Sequence, residues 1–219
     1  MSHERVAATF DRWAAEGRDA GMEEEHGDVA RQVLEVLQVR PGEQILDLGC
    51  GNGWATRLLA KSAAGATAVG VDVSPRMIAR AEELHSLTVR ARYELCAFEN
   101  LGFRDSRFDR VFSVEALYYA VDLDRALSEA HRVLKPGGRA DVIVDFFVES
   151  PSTREWPSKT GLSMHYLSTQ DWREAFQRAG FTGVDTERLF DTRPTPPSAA
   201  AHQASKADGS LWIRATKPS

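Results

Sequence analysis

Residues 45–54 read Ile45-Leu46-Asp47-Leu48-Gly49-Cys50-Gly51-Asn52-Gly53-Trp54. An apolar run that ends beside an acid and passes into glycines at alternate positions predicts a buried strand, a sharp turn and then a helix, here Trp54 to about Lys61. Glycines in the turn let the main chain approach a ligand more closely than side chains would allow, and the helix points unpaired N–H groups into the same crevice. Dinucleotide sites of the hydride-transfer kind carry G-x-G-x-x-G, with the third glycine permitting close helix packing beside a pyrophosphate. Trp54 occupies that position, which disfavours a pyrophosphate cradle and, with it, a nicotinamide-dependent oxidoreductase.

A second anchor follows in Ala68-Val69-Gly70-Val71-Asp72-Val73, which reads as a parallel strand with an acid near its end. In a doubly wound sheet the carboxyl ends of neighbouring strands share one crevice, so Asp72 belongs beside the glycine loop, where it can accept hydrogen bonds from ribose hydroxyls. Ser74-Pro75 then opens a helix, with serine as the cap and proline at the first helical position.

Strand and helix signals alternate along the whole chain, the pattern of an α/β sheet covered on both faces. Residues 1–40 read as a helical cap, with Phe10, Trp13 and Ala14 on one helix, breaks at Gly17 and Gly21, and Val29, Val33, Val36 and Leu37 as the apolar stripe of a second. Further strands are expected over 67–73, 91–96, 108–114 and 139–147, with helices over 75–84, 124–134 and 170–179 and a turn at Lys135-Pro136-Gly137-Gly138. A strand over 181–190, a loop over 191–209 and a closing strand over 211–216 complete a single domain of 219 residues, with residues 41–219 as the sheet core. The proline-bearing loop reads as a tolerated surface insertion, with a lid as the sharper alternative.

Four ordered pieces resemble the class I methyltransferases that use S-adenosylmethionine (SAM), in their small-molecule branch. They are Asp47-x-Gly49-x-Gly51-x-Gly53; Val71-Asp72-Val73-Ser74; Glu99-Asn100-Leu101-x-Phe103 with Phe108-Asp109-x-Val111; and Arg132-Val133-Leu134-Lys135-Pro136-Gly137-Gly138. The resemblance covers roughly residues 40–150 and implies a Rossmann-like, seven-stranded, mostly parallel sheet with an antiparallel last strand. It further implies that Asp47 belongs to the cofactor loop, that Gly49 and Gly51 cradle the methionine part of SAM and that Asp72 holds the ribose. Val73 and Met77 would cover the adenine, the main chain of Phe98 would meet the adenine edge, and Ser113 would lie near the methionine end. The chain departs from the family at Ala97, where a carboxylate that accepts from the adenine amino group is usual. A fold that binds SAM without catalysis is the alternative this departure feeds.

A net charge of −5 provides no cationic field for a polyanion, so nucleic acid is not the expected substrate. The Asn/Asp-Pro-Pro-aromatic turn of nucleic-acid amino-methyltransferases is replaced by Ser113-Val114-Glu115-Ala116. Cys50 and Cys96 lack zinc-site spacing, and neither a secretory apolar segment nor a membrane span is evident, so the expected location is the cytoplasm. No His/Asp/Glu grouping suggests a metal, and none is expected. Nothing in the sequence sets an oligomeric state.

Methyl transfer from a sulfonium, leaving S-adenosylhomocysteine, requires aim and exclusion of water more than activation of the leaving group. Aromatic walls for a small acceptor are expected from Tyr118, Tyr119, Phe146, Phe147, Trp156 and Tyr166, with Trp13 closing the top. A hydroxyl or protonated amine acceptor needs a base. Glu115, directly after the fourth strand, and His165, in the expected substrate segment, are the candidates, with Asp145 as a competitor. Glu115 is alternatively a binder of a cationic acceptor.

Overall fold

Short runs rich in β-branched and aliphatic residues form β1 (Gln44–Leu48), β2 (Thr67–Asp72), β3 (Ala91–Leu95), β4 (Phe108–Val114) and β5 (Leu134–Val144), all mutually parallel. With β6 (Thr182–Leu189) and β7 (Ser210–Thr216) they make one seven-stranded sheet in the order β3-β2-β1-β4-β5-β7-β6. β7 is antiparallel to both of its neighbours. This computed structural model describes residues 2–194 and 206–219.

The period-two alternation of a strand sends its side chains to opposite faces, and β1 shows the result. Leu46 and Leu48 enter one core with Val69, Val71, Val111 and Val142, while Ile45 enters the other with Phe112, Ile143 and Trp212. The first core is closed by α1 (His3–Ala15), α5 (Leu123–Val133) and α7 (Thr169–Arg178), the second by α2 (Met22–Leu37) and α3 (Trp54–Lys61). Helix α4 (Pro75–Glu83) follows β2 and meets α1. Caps fix where these helices start. Ser74 Oγ accepts from Met77 N, Asp122 accepts from Arg125 N, and Ser168 with Asp171 forms a reciprocal capping box.

The order of strands reverses between β1 and β4, which places a crevice at their carboxyl ends. The N-terminal helices lie across it. Ser74 Oγ and Arg76 N both donate to Asp11 Oδ1, and the buried Asp19 accepts from Arg80 Nε at 3.1 Å while its carbonyl takes Asn52 Nδ2. Gly17, at φ 73°, makes the break between α1 and a turn of 3-10 helix over Arg18–Gly21.

Four details differ from the sequence reading. The expected turn at residues 135–138 lies inside β5, because Gly137 N donates to Lys217 O and Lys217 N to Gly138 O, pairing that segment with the chain after β7. β5 ends at Val144, so Phe146 and Phe147 lie beyond it, both buried. Val36 is 55% exposed, since Ala30, Val33 and Leu37 take the inward face of α2. The short helix α6 (Trp156–Thr160) was not expected; proline in its first turn and Gly161 at φ 72° after it delimit a single turn too short for a periodic signal. The loop expected over 191–209, a surface insertion with a lid as the alternative, falls largely on 195–205, outside the described residues.

Leu46 is fully buried on the central strand. Leu46→Ala is expected to destabilise the fold by about 2–5 kcal/mol in urea denaturation; a loss below about 1 kcal/mol would contradict tight packing around β1.

Candidate functional site

The glycine loop is shaped by contacts that exclude side chains. Gly49 has φ 75°, and a Cβ there would stand 2.2 Å from Ala116 Cβ; at Gly51, φ 51°, a Cβ would stand 3.0 Å from Met22 Sδ. Gly49 N and Cys50 N both donate to Val71 O, at 2.9 and 3.0 Å, which ties the loop to β2. Asp72, at the end of β2, then closes it: Oδ2 accepts from Gly51 N and Oδ1 from Ser74 N, each at 2.9 Å.

Burial raises the acids around this loop. It pushes Asp72 up to about 6 against the pull of its N–H donors, and Asp47 to about 7 although Thr56 Oγ1 donates to it at 2.6 Å. The Cys50 thiol is driven well above its ordinary value by burial and by the adjacent carboxylates, so it is a packing group. Trp54 is buried at the first position of α3, where a dinucleotide site has glycine.

Beside Asp72 opens a cleft of about 230 Å³, walled by Val6, Val73, Ala97, Phe98, Tyr119 and Ala120. Its apolar walls fit a flat heteroaromatic ring. Val73, Ala97 and Phe98 line this cleft, whereas Met77 is buried in α4 and Ser113 Oγ donates to Leu48 O at 2.8 Å between β4 and β1. One edge is held by Glu99, whose Oε2 is 2.8 Å from His3 Nε2 and whose Oε1 accepts from Val121 N and Asp122 N.

A second cleft, of about 390 Å³, lies between α2 and the ends of β4 and β5, walled by His26, Val29, Val114, Glu115, Ile143 and Asp145, with Asp191 and Lys206 at the same cleft. Glu115 has φ 55°, a left-handed conformation uncommon outside glycine. Tyr118 OH donates to its Oε2 at 2.8 Å, and the buried carboxyl of Glu115 lies against that of Asp145 and its main chain. Burial first, and then the charge of Asp145, drives Glu115 well above the usual carboxylate range. His26 Nδ1 stands 3.8 Å from Asp145 Oδ2.

The sequence reading singled out Glu115 and Asp145 and missed His26, and it saw no His/Asp/Glu grouping. The structure corrects that point: one polar atom from each of the three residues lies within 4.8 Å of the others. They are far apart along the chain, so no local spacing announces them. The available signal was Met22 and His26 one helical turn apart, since the residue facing the glycine loop fixes the direction of its neighbour at i+4.

His165 is placed differently. Its main-chain N donates to Tyr118 O and its ring Nε2 stands 2.9 Å from Ala120 O, so it pins its own segment to the turn after β4. Tyr118, Phe146, Trp156 and Tyr166 come together, with Phe146 stacked on Trp156 at 6.1 Å and 4.8 Å from Tyr166. Tyr118 and Phe146 are fully buried, which makes this cluster a floor of packed rings. Trp13 meets Phe10 edge-on and carries the Arg18 guanidinium on its face at 4.2 Å.

Residues 46–141 match the family model described as a methyltransferase domain. The chain is 36% identical over 186 residues to a demethylmenaquinone methyltransferase of Tropheryma whipplei, covering 73% of this chain and 74% of that one. It is 29% identical over 181 residues to the methyltransferase GfsG of Streptomyces halstedii, covering 78% of this chain and 64% of that longer relative. Among solved structures, a chain in the complex of the Haloferax volcanii Trm112 methyltransferase activator with a methyltransferase superposes with a TM-score of 0.88 at 32% identity, covering 96% of this chain and 98% of that one. No helix among the described residues is long and apolar enough to cross a membrane.

Glu115 supplies a stability test. With its folded value raised, stability is fully present below the ordinary carboxylate range and is lost as pH rises toward the folded value, because the unfolded chain ionises first. Glu115→Gln removes that loss, so the variant is expected to gain on the native protein in urea denaturation as the pH is raised from acid to neutral. An unchanged difference between the two across that range would contradict the raised value.

Proposed function

The chain belongs to the class I SAM-dependent methyltransferases, and on that premise we propose that it methylates a small-molecule acceptor held in the cleft of His26, Glu115 and Asp145. One observation carries this reading: the glycine loop and the acceptor cleft share walls. Ala116 and Met22 are the side chains that press on Gly49 and Gly51, and Glu115, next in the chain, and His26, one turn along α2, line the cleft. A methyl carried at the loop would therefore stand next to the paired carboxyls.

The residues fit SAM in its three parts. In this reading Gly49 and Gly51 leave room for the methionine portion, Asp72, bound to the loop at Gly51 N, takes the ribose, and Val73, Ala97 and Phe98 offer an apolar slot for adenine. When bound, SAM supplies a methyl on an already activated sulfur. The protein's own task is to position the acceptor and to take its proton, and a carboxylate with a raised proton affinity is suited to the second. This gives Glu115 the proton-accepting role and leaves His165 a structural one.

The demethylmenaquinone methyltransferase relative supports a small acceptor. The Haloferax complex supports a second reading, a protein partner. β3 is an edge strand, and Leu84, Leu87 and Leu95 on and before it are 42%, 98% and 59% exposed, a surface suited to such a partner. Mixing the protein with a Trm112-type activator is expected to give a co-eluting complex in size-exclusion chromatography; separate elution would remove the partner reading.

Asp72→Ala is expected to weaken SAM and S-adenosylhomocysteine binding about 10- to 100-fold, the worth of hydrogen bonds to a charged group. Native affinity is expected to fall as pH is lowered through about 6, where Asp72 takes up its proton. Calorimetric titrations on either side of that value check both points, and affinity indifferent to pH and to the substitution would remove the ribose assignment. Glu115→Gln is expected to lower turnover at least about 100-fold with cofactor affinity nearly unchanged. Cofactor binding without turnover on any acceptor would instead favour the non-catalytic alternative.

A further inference from the structure

The glycine loop has room for a ligand, but its main-chain donors are engaged within the fold. Gly49 N and Cys50 N donate to Val71 O, Gly51 N to Asp72 Oδ2, Gly53 N to Cys50 O and Trp54 N to Asn52 Oδ1. The titratable side chains at the ends of β1 and β2 are the buried acids Asp47 and Asp72. A carboxylate laid on this loop therefore meets donors already taken and acids nearby, and holding it asks for a cation from another element. The methionine part of SAM ends in such a carboxylate.

The segment that crosses the loop carries one. Asp19 O accepts from Asn52 Nδ2 at 2.8 Å and Met22 Sδ stands at the face of Gly51, so the turn Arg18–Gly21 lies against the loop. Arg80 is bound to Asp19 and Glu83, and Arg57 donates to Asn52 O. Arg18, by contrast, pairs with no carboxylate among the described residues, and its guanidinium lies on the Trp13 ring, 4.2 Å from the centroid. Stacking occupies the face of the guanidinium plane and leaves the N–H fork at its edge for a carboxylate. Gly17, at φ 73°, turns the chain so that Arg18 comes back over Trp13. Burial first, and then the charge of Glu115, raises the hydroxyl of Tyr119, while the charge of Arg18 opposes them, so this phenol on the wall of the apolar slot lies within reach of both groups.

We propose that Arg18 binds the carboxylate of the methionine part of SAM, with Trp13 as the shelf that positions it. The inference rests on the methyltransferase reading above and adds a binding residue to it. With the adenine end held in the apolar slot, a second anchor at the far end of the molecule fixes the direction of the sulfonium between them. The carboxylate is unchanged by the reaction, so the contact holds substrate and product alike, and affinity is the quantity that reports it.

The test titrates the full chain by calorimetry with three ligands. They are SAM; decarboxylated SAM, which keeps the sulfonium and the ammonium; and methylthioadenosine, which lacks the whole amino-acid part. Arg18→Gln is expected to weaken SAM about 10- to 100-fold and to change the other two by less than about threefold. Arg18→Lys, which keeps the charge and loses the fork, is expected to fall between. Trp13→Leu is expected to weaken SAM by about threefold or more, with methylthioadenosine unaffected. Added sodium chloride is expected to weaken SAM on the native chain and to do so less on Arg18→Gln, because an exposed ion pair is screened. Equal loss of SAM and decarboxylated SAM in Arg18→Gln would place Arg18 away from the carboxylate and overturn the proposal. Unchanged SAM affinity in that variant would overturn it too and leave the methyltransferase reading standing. Binding of none of the three ligands by the native chain would overturn that reading and the proposal with it.

Discussion

The contact between Gly49 and Ala116 is the constraint on which the rest of the site depends. A Cβ at residue 49 would stand 2.2 Å from Ala116 Cβ, closer than real side chains approach, so the loop after β1 and the turn after β4 can meet only with glycine there. These are the two strands between which the sheet order reverses. The helices that follow them leave to opposite faces, α3 into one core and α5 into the other, and the space between their starting points becomes the crevice. The glycine loop and the cleft beside Glu115 are therefore neighbours through one close approach of main chain to methyl group.

The N-terminal helices complete both sides. Asp11 is bound to the start of α4 and Asp19 to Arg80, which fixes α1 and the turn after it across the carboxyl ends of β1 and β2. With those anchors set, α2 presents Met22 to the glycine loop and His26 to the acceptor cleft, while His3 holds Glu99 at the edge of the apolar slot. A segment outside the motif-bearing core thus contributes a residue to each compartment of the site.

Three buried acids, each raised by loss of solvent, are satisfied to different degrees. Asp72 receives two main-chain N–H groups and Asp47 a threonine hydroxyl, so their oxygens have donors within the fold. Glu115 receives one phenol on one oxygen and otherwise lies against Asp145, a second acid. The first two therefore shape the loop and its electrostatics. The last pair sits at a cleft, on a residue whose own main chain is in a conformation that costs about 1–3 kcal/mol.

The sequence by itself determined the fold and the glycine loop with its strand-end acid. Strand–glycine–helix over 45–61 and the strand-end acid at 72 are local patterns, set by periodicity and by the conformational freedom of Gly49 and Gly51, and the observed sheet carries them in the expected places. Ser113 and Met77 were legible as positions near the loop, but whether a side chain faces a cleft or the core depends on neighbours in space, and both turn to packing or strand contacts. Only the tertiary structure decided the second cleft. His26, Glu115 and Asp145 lie on three elements distant in sequence, and their meeting follows from how α2 crosses the ends of β4 and β5. The same holds for His165, which a reading of residue type made a base and which the fold uses to join its segment to Tyr118 and Ala120. A main-chain conformation is written in a few adjacent residues, whereas the surroundings of a titratable side chain are written in the packing of the whole.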